Sequence, residues 1–280
     1  MWRTAGVTAN AVNRTAPKIP GFDRAQIPPV TTARPPRILT IAGSDSGGGA
    51  GIQADIRTIT HLGGHAMTAV TAVTAQNSMG VTAVEVMPPD MVLAQISAVS
   101  DDIGIDAIKI GMLGGADIIS AVSASLKDLT PLPVVLDPVM VATSGASLAD
   151  DKTIEAFSEI IPHVSLVTPN RHEMDRLGGE QVIVNFDVPF LVKGGHDDGD
   201  LLADRLIDRN GLIASWEGAR IDTRHDHGTG CTLSAAIATF LGHGQPMEEA
   251  ISLSRDHVRN SLQCAPGYGA GHGPMGMPER

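Results

Sequence analysis

From Arg37 onward the chain alternates short apolar runs with longer stretches of helical period. Residues 38–42 (Ile-Leu-Thr-Ile-Ala) read as a buried strand, and the loop 43–51 follows it. Ile52, Ile56, Ile59 and Leu62 then recur at the spacing of one helix face. β-like runs return at 67–75, 107–110, 134–136, 164–168 and 190–192. Helical stretches at 89–99, 116–126 and 152–160 separate most of them. Strands alternating with helices predict a mainly parallel sheet covered by helices on both faces. Residues 201–221 break the rhythm. Asn210-Gly211 is a strong turn signal, so an antiparallel hairpin at the sheet edge is expected. Ligands of such α/β sheets bind beyond the carboxyl ends of the strands, and the loops there are where chemistry is expected.

Hydrophobic residues make up 42% of the 280 but aromatics only 3%, so the core must be aliphatic, as suits strands buried on both faces. A formal net charge of −11 argues against a nucleic-acid or anionic-membrane partner, since each needs a basic surface. An anionic substrate stays open, because backbone dipoles act locally. Two cysteines, Cys231 and Cys264, are too few for a disulfide scaffold or a structural zinc site, and a reducing cytoplasm is the expected setting. No run reaches the roughly 18 apolar residues of a membrane span. Residues 1–36 differ from the rest. Arg3, Arg14, Lys18, Arg24 and Arg34 stand against the single acid Asp23, and prolines cluster at Pro28, Pro29, Pro35 and Pro36. The stretch lacks apolar periodicity and the apolar centre of a secretory signal. It reads as a disordered extension, with an organelle transit peptide as the alternative, and 37–280 reads as one domain.

Gly228-Thr229-Gly230 leads into Cys231 and an apolar, alanine-rich helix. Unpaired N–H groups at a helix start, with the macrodipole behind them, make an anion site. A thiol in that first turn is expected to have a lowered pKa and to serve as a general base. The plain alternative is a small buried cysteine, and a single G-T-G does not decide between them. Gln76 ends a strand, where its amide can donate and accept at once or simply cap a loop. His225 and His227 flank the glycines, but no third metal ligand is suggested nearby, so they read as polar loop residues. Cys264 is expected to pack in the C-terminal helix.

Seven motifs occur in order along the chain. They are G-S-D-S-G-G-G-A-G-I-Q-A-D (43–55), T-A-Q-N (74–77), K-I-G-M-L (109–113), V-L-D-P-V-M (135–140), T-P-N-R-H-E (168–173), V-K-G-G-H (192–196) and H-G-T-G-C-T-L-S-A-A-I-A (227–238). Together they closely resemble the hydroxymethylpyrimidine/phosphomethylpyrimidine kinases of thiamine biosynthesis, which have the ribokinase-like fold. The resemblance implies a three-layer α/β/α sandwich whose mostly parallel central sheet carries an edge β-hairpin. It implies transfer of the ATP γ-phosphate to 4-amino-5-hydroxymethyl-2-methylpyrimidine, and then to its monophosphate to give the diphosphate. By the same match Cys231 is the base, and the amides of Gly228, Thr229 and Gly230 stabilise the transferring phosphoryl group. Gln76 and Asp55 bind the pyrimidine, and Gly43, Met112 and Val139 line its pocket. Asn170 and Lys193 serve the nucleotide, while Glu173 and Asp137 organise Mg²⁺. Lys109 is expected in a structural ion pair. A homodimer is suggested.

The chain departs from that pattern in three places. Residues 171–188 are short for the usual crossover, and a single short helix with a thinned outer layer is expected there. Arg224-His225-Asp226 replaces the more usual K-N-T, and Ser46-Gly47 replaces the frequent Pro-Ser in a loop expected to be flexible. The resemblance leaves pyridoxal or pyridoxine kinase as the alternative, and the shortened segment leaves a catalytically impaired pyrimidine-binding homologue. A nucleotide-binding oxidoreductase is disfavoured, since the glycine loop is not G-x-G-x-x-G and no acid follows at a strand end about twenty residues on.

Overall fold

The computed structural model describes residues 34–129, 131–141, 145, 148–194 and 199–279. The expected disordered extension at 1–36 lies outside these except for its last three residues. From Pro35 to Arg280 the chain is one compact unit.

Nine strands form a single sheet in the order β3-β2-β1-β4-β5-β6-β7-β8-β9. They are β1 Arg37–Asp45, β2 His65–Asn77, β3 Gly80–Val86, β4 Ala107–Ile110, β5 Val134–Leu136, β6 Leu166–Val167, β7 Phe190–Val192, β8 Leu201–Asp208 and β9 Gly211–Ala219. The six strands from β2 to β7 in this order run parallel, while β3 pairs antiparallel with β2, β8 with β7, and β9 with β8. The helices are α1 Gly51–His61, α2 Pro89–Asp102, α3 Ala116–Leu129, α4 Asp151–Ile160, α5 Arg171–Arg176, α6 Thr229–Gly242 and α7 Met247–Gln263.

The period of two along the strands divides the core into two layers. Leu39, Ile41, Ile108, Ile110, Val134, Leu136 and Phe190 face α2, α3 and α4. Their neighbours Ile38, Ala107, Val135 and Leu191 face α6 and α7, whose Ala235, Ile237 and Ile251 meet them. Lys109 belongs to this second face, and its side chain is fully buried there.

The structure departs from the sequence reading at β3. That strand pairs with β2 through the turn Ser78-Met79, which is closed as the Met79 N–H donates to the Asn77 side chain at 2.8 Å. It is exposed along most of its length, so no buried periodicity marks it. Cys264 does not pack within α7 but follows its last turn and is exposed. The short 171–188 crossover holds the six-residue α5 and a six-residue 3₁₀ turn, Glu180–Asn185.

Candidate active site

The carboxyl ends of β1, β4, β5, β6 and β7 open on a cleft of about 820 Å³. Gly43, Gln76, Met112, Asp137, Val139, Asn170, Glu173, Lys193 and the run Gly228 to Cys231 all line it. Asp55 does not.

Two glycine-bearing segments meet at its centre. Gly228 precedes α6 with φ +84°, and a Cβ there would collide with the carbonyl oxygen of Gly49, so only glycine fits. The loop 43–51, expected to be flexible, is wound round Asp45. Its carboxylate accepts the N–H groups of Gly47, Gly49 and Ala50 at 2.8, 2.9 and 2.8 Å. Nε2 of His227 lies 3.0 Å from the same carboxylate and 3.1 Å from the side-chain amide of Gln76. Burial opposes the charge on Asp45, but His227 and the Ala50 and Gly47 amides outweigh it and lower its pKa. The backbone of Gln76 is held as well. Ser46 Oγ donates to its carbonyl at 2.7 Å and accepts its N–H at 2.8 Å, a clamp that proline at 46 could not make. The sequence reading gave Asp45 and Ser46 no role in the site and took His227 for a polar loop residue. His227 is a buried site residue and not the plain loop residue expected.

Asp55 is a correction. It sits in α1 with no exposed surface, and Lys109 Nζ reaches it at 2.9 Å while Thr40 Oγ1 donates to it at 2.5 Å. It lies beneath the cleft, paired with Lys109, and reaches the cleft through that lysine and through its charge near Cys231. Its other oxygen, Oδ1, has no hydrogen-bond partner among the described residues. Burial raises its pKa, against the pull of Lys109. The ion pair expected of Lys109 is present, and the residue also borders the cleft.

Cys231 is the second correction. The helix-start argument gave a lowered pKa, yet the thiol is pushed up to about 11. Burial is the main cause, Asp55 and Asp137 add to it, and Lys109 and the Gly51 N–H pull the other way. The site favours the thiol over the thiolate until further positive charge arrives.

At the other end of the cleft, Lys193 Nζ contacts Asp137 at 2.9 Å and lies 4.0 Å from Glu173. Both groups border the α6 start, since a Cβ on Gly230 would lie 3.2 Å from Lys193 Nζ and 3.4 Å from Asp137. Asn170 and Glu173 form a reciprocal capping box that starts α5, with both bonds at 2.8 Å. The N-x-x-E spacing is therefore accounted for by helix capping, and whatever these residues do for a ligand comes on top of that. Burial is the first cause that raises the Glu173 pKa to about 7; Asp137 adds to it and Lys193 opposes. Among the described residues no cluster of three or more His, Cys, Asp or Glu is placed to hold a metal ion.

The phosphomethylpyrimidine kinase family profile matches residues 45–276. A hydroxymethylpyrimidine/phosphomethylpyrimidine kinase of Streptomyces coelicolor is 41% identical over 90% of this chain and 96% of its own length. The chain belongs to the phosphomethylpyrimidine kinase family. The thiamine biosynthesis multifunctional protein ThiED of Corynebacterium efficiens is also 41% identical, over 86% of this chain, and the chain spans 35% of that protein's length. Among solved structures, the ADP complex of Bacillus subtilis pyridoxal kinase superposes with a TM-score of 0.77 at 29% identity, over 87% of this chain and 98% of that one. The family's ribokinase-like architecture accounts for the cleft at the strand ends. No helix among the described residues is long and apolar enough to cross a membrane.

Proposed function

We propose that the chain phosphorylates 4-amino-5-hydroxymethyl-2-methylpyrimidine with ATP, and then phosphorylates the monophosphate to the diphosphate. One observation carries this reading. A single cleft holds a donor–acceptor amide (Gln76) at one end, a carboxylate–ammonium cluster (Lys193, Asp137, Glu173) at the other, and the α6 N-terminus with Cys231 between them. Phosphoryl transfer needs little more than positioning and preorganised charge, and that division supplies both.

Gln76 would hold the aminopyrimidine edge, with Gly43, Met112 and Val139 packed round the ring. The amides of Gly228 and Gly230 at the start of α6 would face the developing charge on the transferred group, and that of Thr229, which donates to the Asp226 carbonyl at 3.3 Å, would have to exchange that bond to join them. Cys231 would take the proton of the hydroxymethyl group. Its raised pKa makes that demanding, and Lys109 is the ordered cation that lowers the cost. Lys193 would meet the nucleotide phosphates, with Asn170 beside it. Asp137 and Glu173 would hold Mg²⁺. Two adjacent buried carboxyl groups, Asp137 and Glu173, offer the hard oxygen ligands that a small divalent cation prefers. When bound, such an ion would neutralise negative charge on the phosphates. Dimerisation belongs to the same reading and is tested by size-exclusion chromatography.

The test is coupled ADP release with purified protein, Mg-ATP and the pyrimidine alcohol. Turnover of this alcohol and of its monophosphate is expected. Absence of both would remove the assignment. Pyridoxal kinase is the second reading, favoured by the likeness to the Bacillus subtilis enzyme. It is separated by comparing kcat/KM for pyridoxal and for the pyrimidine.

A further inference from the structure

We infer that His227, locked by Asp45, fixes the orientation of the Gln76 side-chain amide and so sets the hydrogen-bonding pattern the cleft accepts. The inference rests on the proposed pyrimidine substrate and deepens it. His227 and Asp45 are positioning and specificity-determining residues here, distinct from the groups that meet the reacting atoms.

The argument is an inventory of donors. Nε2 of His227 lies 3.0 Å from Asp45 Oδ2, and a carboxylate can only accept. Nε2 therefore carries a hydrogen, whether the ring is neutral or charged. The Gln76 amide end that lies 3.1 Å from that same Nε2 must then be an acceptor, its oxygen, because two donors facing each other repel. The other end of the amide lies 3.3 Å from Thr74 Oγ1. Thr74 has one hydroxyl hydrogen, and the carbonyl of Ser44 accepts it at 3.0 Å. Its lone pair is free to accept from the Gln76 NH₂. The single Nε2 hydrogen is then shared between Asp45 and the Gln76 oxygen, and the Gln76 NH₂ meets Thr74, whereas the opposite amide orientation sets donor against donor at His227 and acceptor against acceptor at Thr74.

Fixed in this way, Gln76 keeps one oxygen lone pair and one N–H for a ligand. That pair complements an edge that donates beside an acceptor, as an exocyclic amine beside a ring nitrogen does. The 4-oxo analogue presents the reverse order and requires the amide to turn over. Turning it breaks the contacts to His227 and to Thr74 together. The Ser46 clamp on the Gln76 backbone prevents the residue from moving aside to avoid this.

The experiment measures binding of the 4-amino and 4-oxo hydroxymethylpyrimidines by calorimetry, without ATP, to wild type, His227→Phe and Thr74→Val. KM and kcat for both compounds are measured in parallel. Wild type should prefer the amino form by about 100-fold, the scale of buried groups left unpaired. Each variant should lower that preference to below about 10-fold, with KM for the amino form moving more than kcat. Thermal unfolding reports whether each variant is folded. If His227→Phe is not, Thr74→Val decides, because it removes the acceptor at the far end and leaves the Asp45–His227 contact and the amides round Asp45 in place, giving up only the bond to the Ser44 carbonyl. A preference that stays within about twofold of wild type in the folded variants overturns the inference and leaves the pyrimidine assignment standing. Wild type that binds neither compound overturns both.

Discussion

The two ends of the cleft are built differently, although both place a lysine against carboxylates at strand ends. At the pyrimidine end, Lys109 and Asp55 are each fully buried and paired at 2.9 Å. The neighbouring Asp45 is saturated by three backbone amides and His227. At the nucleotide end Lys193 keeps some exposure and serves two carboxylates, Asp137 at 2.9 Å and Glu173 at 4.0 Å. One end is electrostatically closed, and the other retains a carboxyl group that burial holds near neutrality. A closed network gives shape and selectivity. An open one leaves room for charge to arrive with a ligand. Cys231, between them, responds to both, since Lys109 lowers its pKa and Asp137 raises it.

The sharpest way to test that intermediate position is to remove the thiol. Cys231→Ala is expected to lower kcat by about 10²–10⁴-fold while the pyrimidine still binds, the usual contribution of a general base. Near-normal kcat would remove Cys231 from that role. Wild-type kcat/KM reports the free enzyme, and a base at about 11 must be deprotonated to act. The rate should therefore climb between about pH 7 and 9 without levelling. A plateau in that range would mean that another group takes the proton.

Breaking the closed end comes next. Lys109→Met leaves Asp55 buried and unpaired, which should cost about 3–5 kcal/mol of stability. Combining it with Asp55→Leu removes both charges and should recover most of that loss. Urea unfolding of the two variants decides the matter. If the double variant is no more stable than the single, the pair is not the closed unit described.

The contrast between the two ends also explains what the sequence made legible. Continuous apolar runs such as 107–110 and 134–136 mark strands buried on both faces, and the parallel sheet with its edge hairpin follows from them. The loops at the strand ends could be located for the same reason. Two contacts that close the pyrimidine end, Lys109 to Asp55 and His227 to Asp45, are long-range. His227 meets Asp45 across 182 residues, and no local period reports that. The pKa of Cys231 was misjudged because a helix start is a local feature, whereas burial and the carboxylates of Asp55 and Asp137 come from other elements. Asp55 was placed in the pocket by likeness alone, and its inward face on α1 puts it under the floor instead. β3 escaped notice because an exposed edge strand needs no buried period.

At the open end, Glu173→Gln separates binding from stability. Gln keeps the acceptor for the Asn170 N–H but loses the charge for a cation. The apparent affinity for Mg-ATP should fall by about 10-fold or more. Stability should move the other way. A carboxyl whose folded pKa rises from 4.5 to about 7 holds its proton more tightly when folded, so stability declines as pH rises across that interval and is lowest above it. Gln mimics the neutral form and should be more stable than wild type at about pH 8, by about 1–3 kcal/mol. A variant less stable than wild type there would show that the ionised form is the better packed one.

The smallest effect concerns the joint between the helices that serve the two ends. α1 starts at the glycine loop of the pyrimidine end, and α7 carries Arg255 and Val258 into the wall of the same cleft. They meet where the rings of His61 and His257 lie 5.2 Å apart. His257 is buried, and its Nε2 has no partner among the described residues. Burial first, and His61 second, lower its pKa from 6.5 to about 4. Between those values the unfolded chain binds a proton that the folded one refuses. Stability should therefore be level above 6.5 and fall as pH drops toward 4, by about 1–2 kcal/mol from this residue. His257→Leu removes the titration and keeps the packing volume near that of the ring. Its melting temperature should fall less than that of wild type between about pH 7 and 5. Parallel curves for the two proteins would place the acid sensitivity elsewhere, and the open end, with Glu173, would not supply it, because that carboxyl is stabilised by acid.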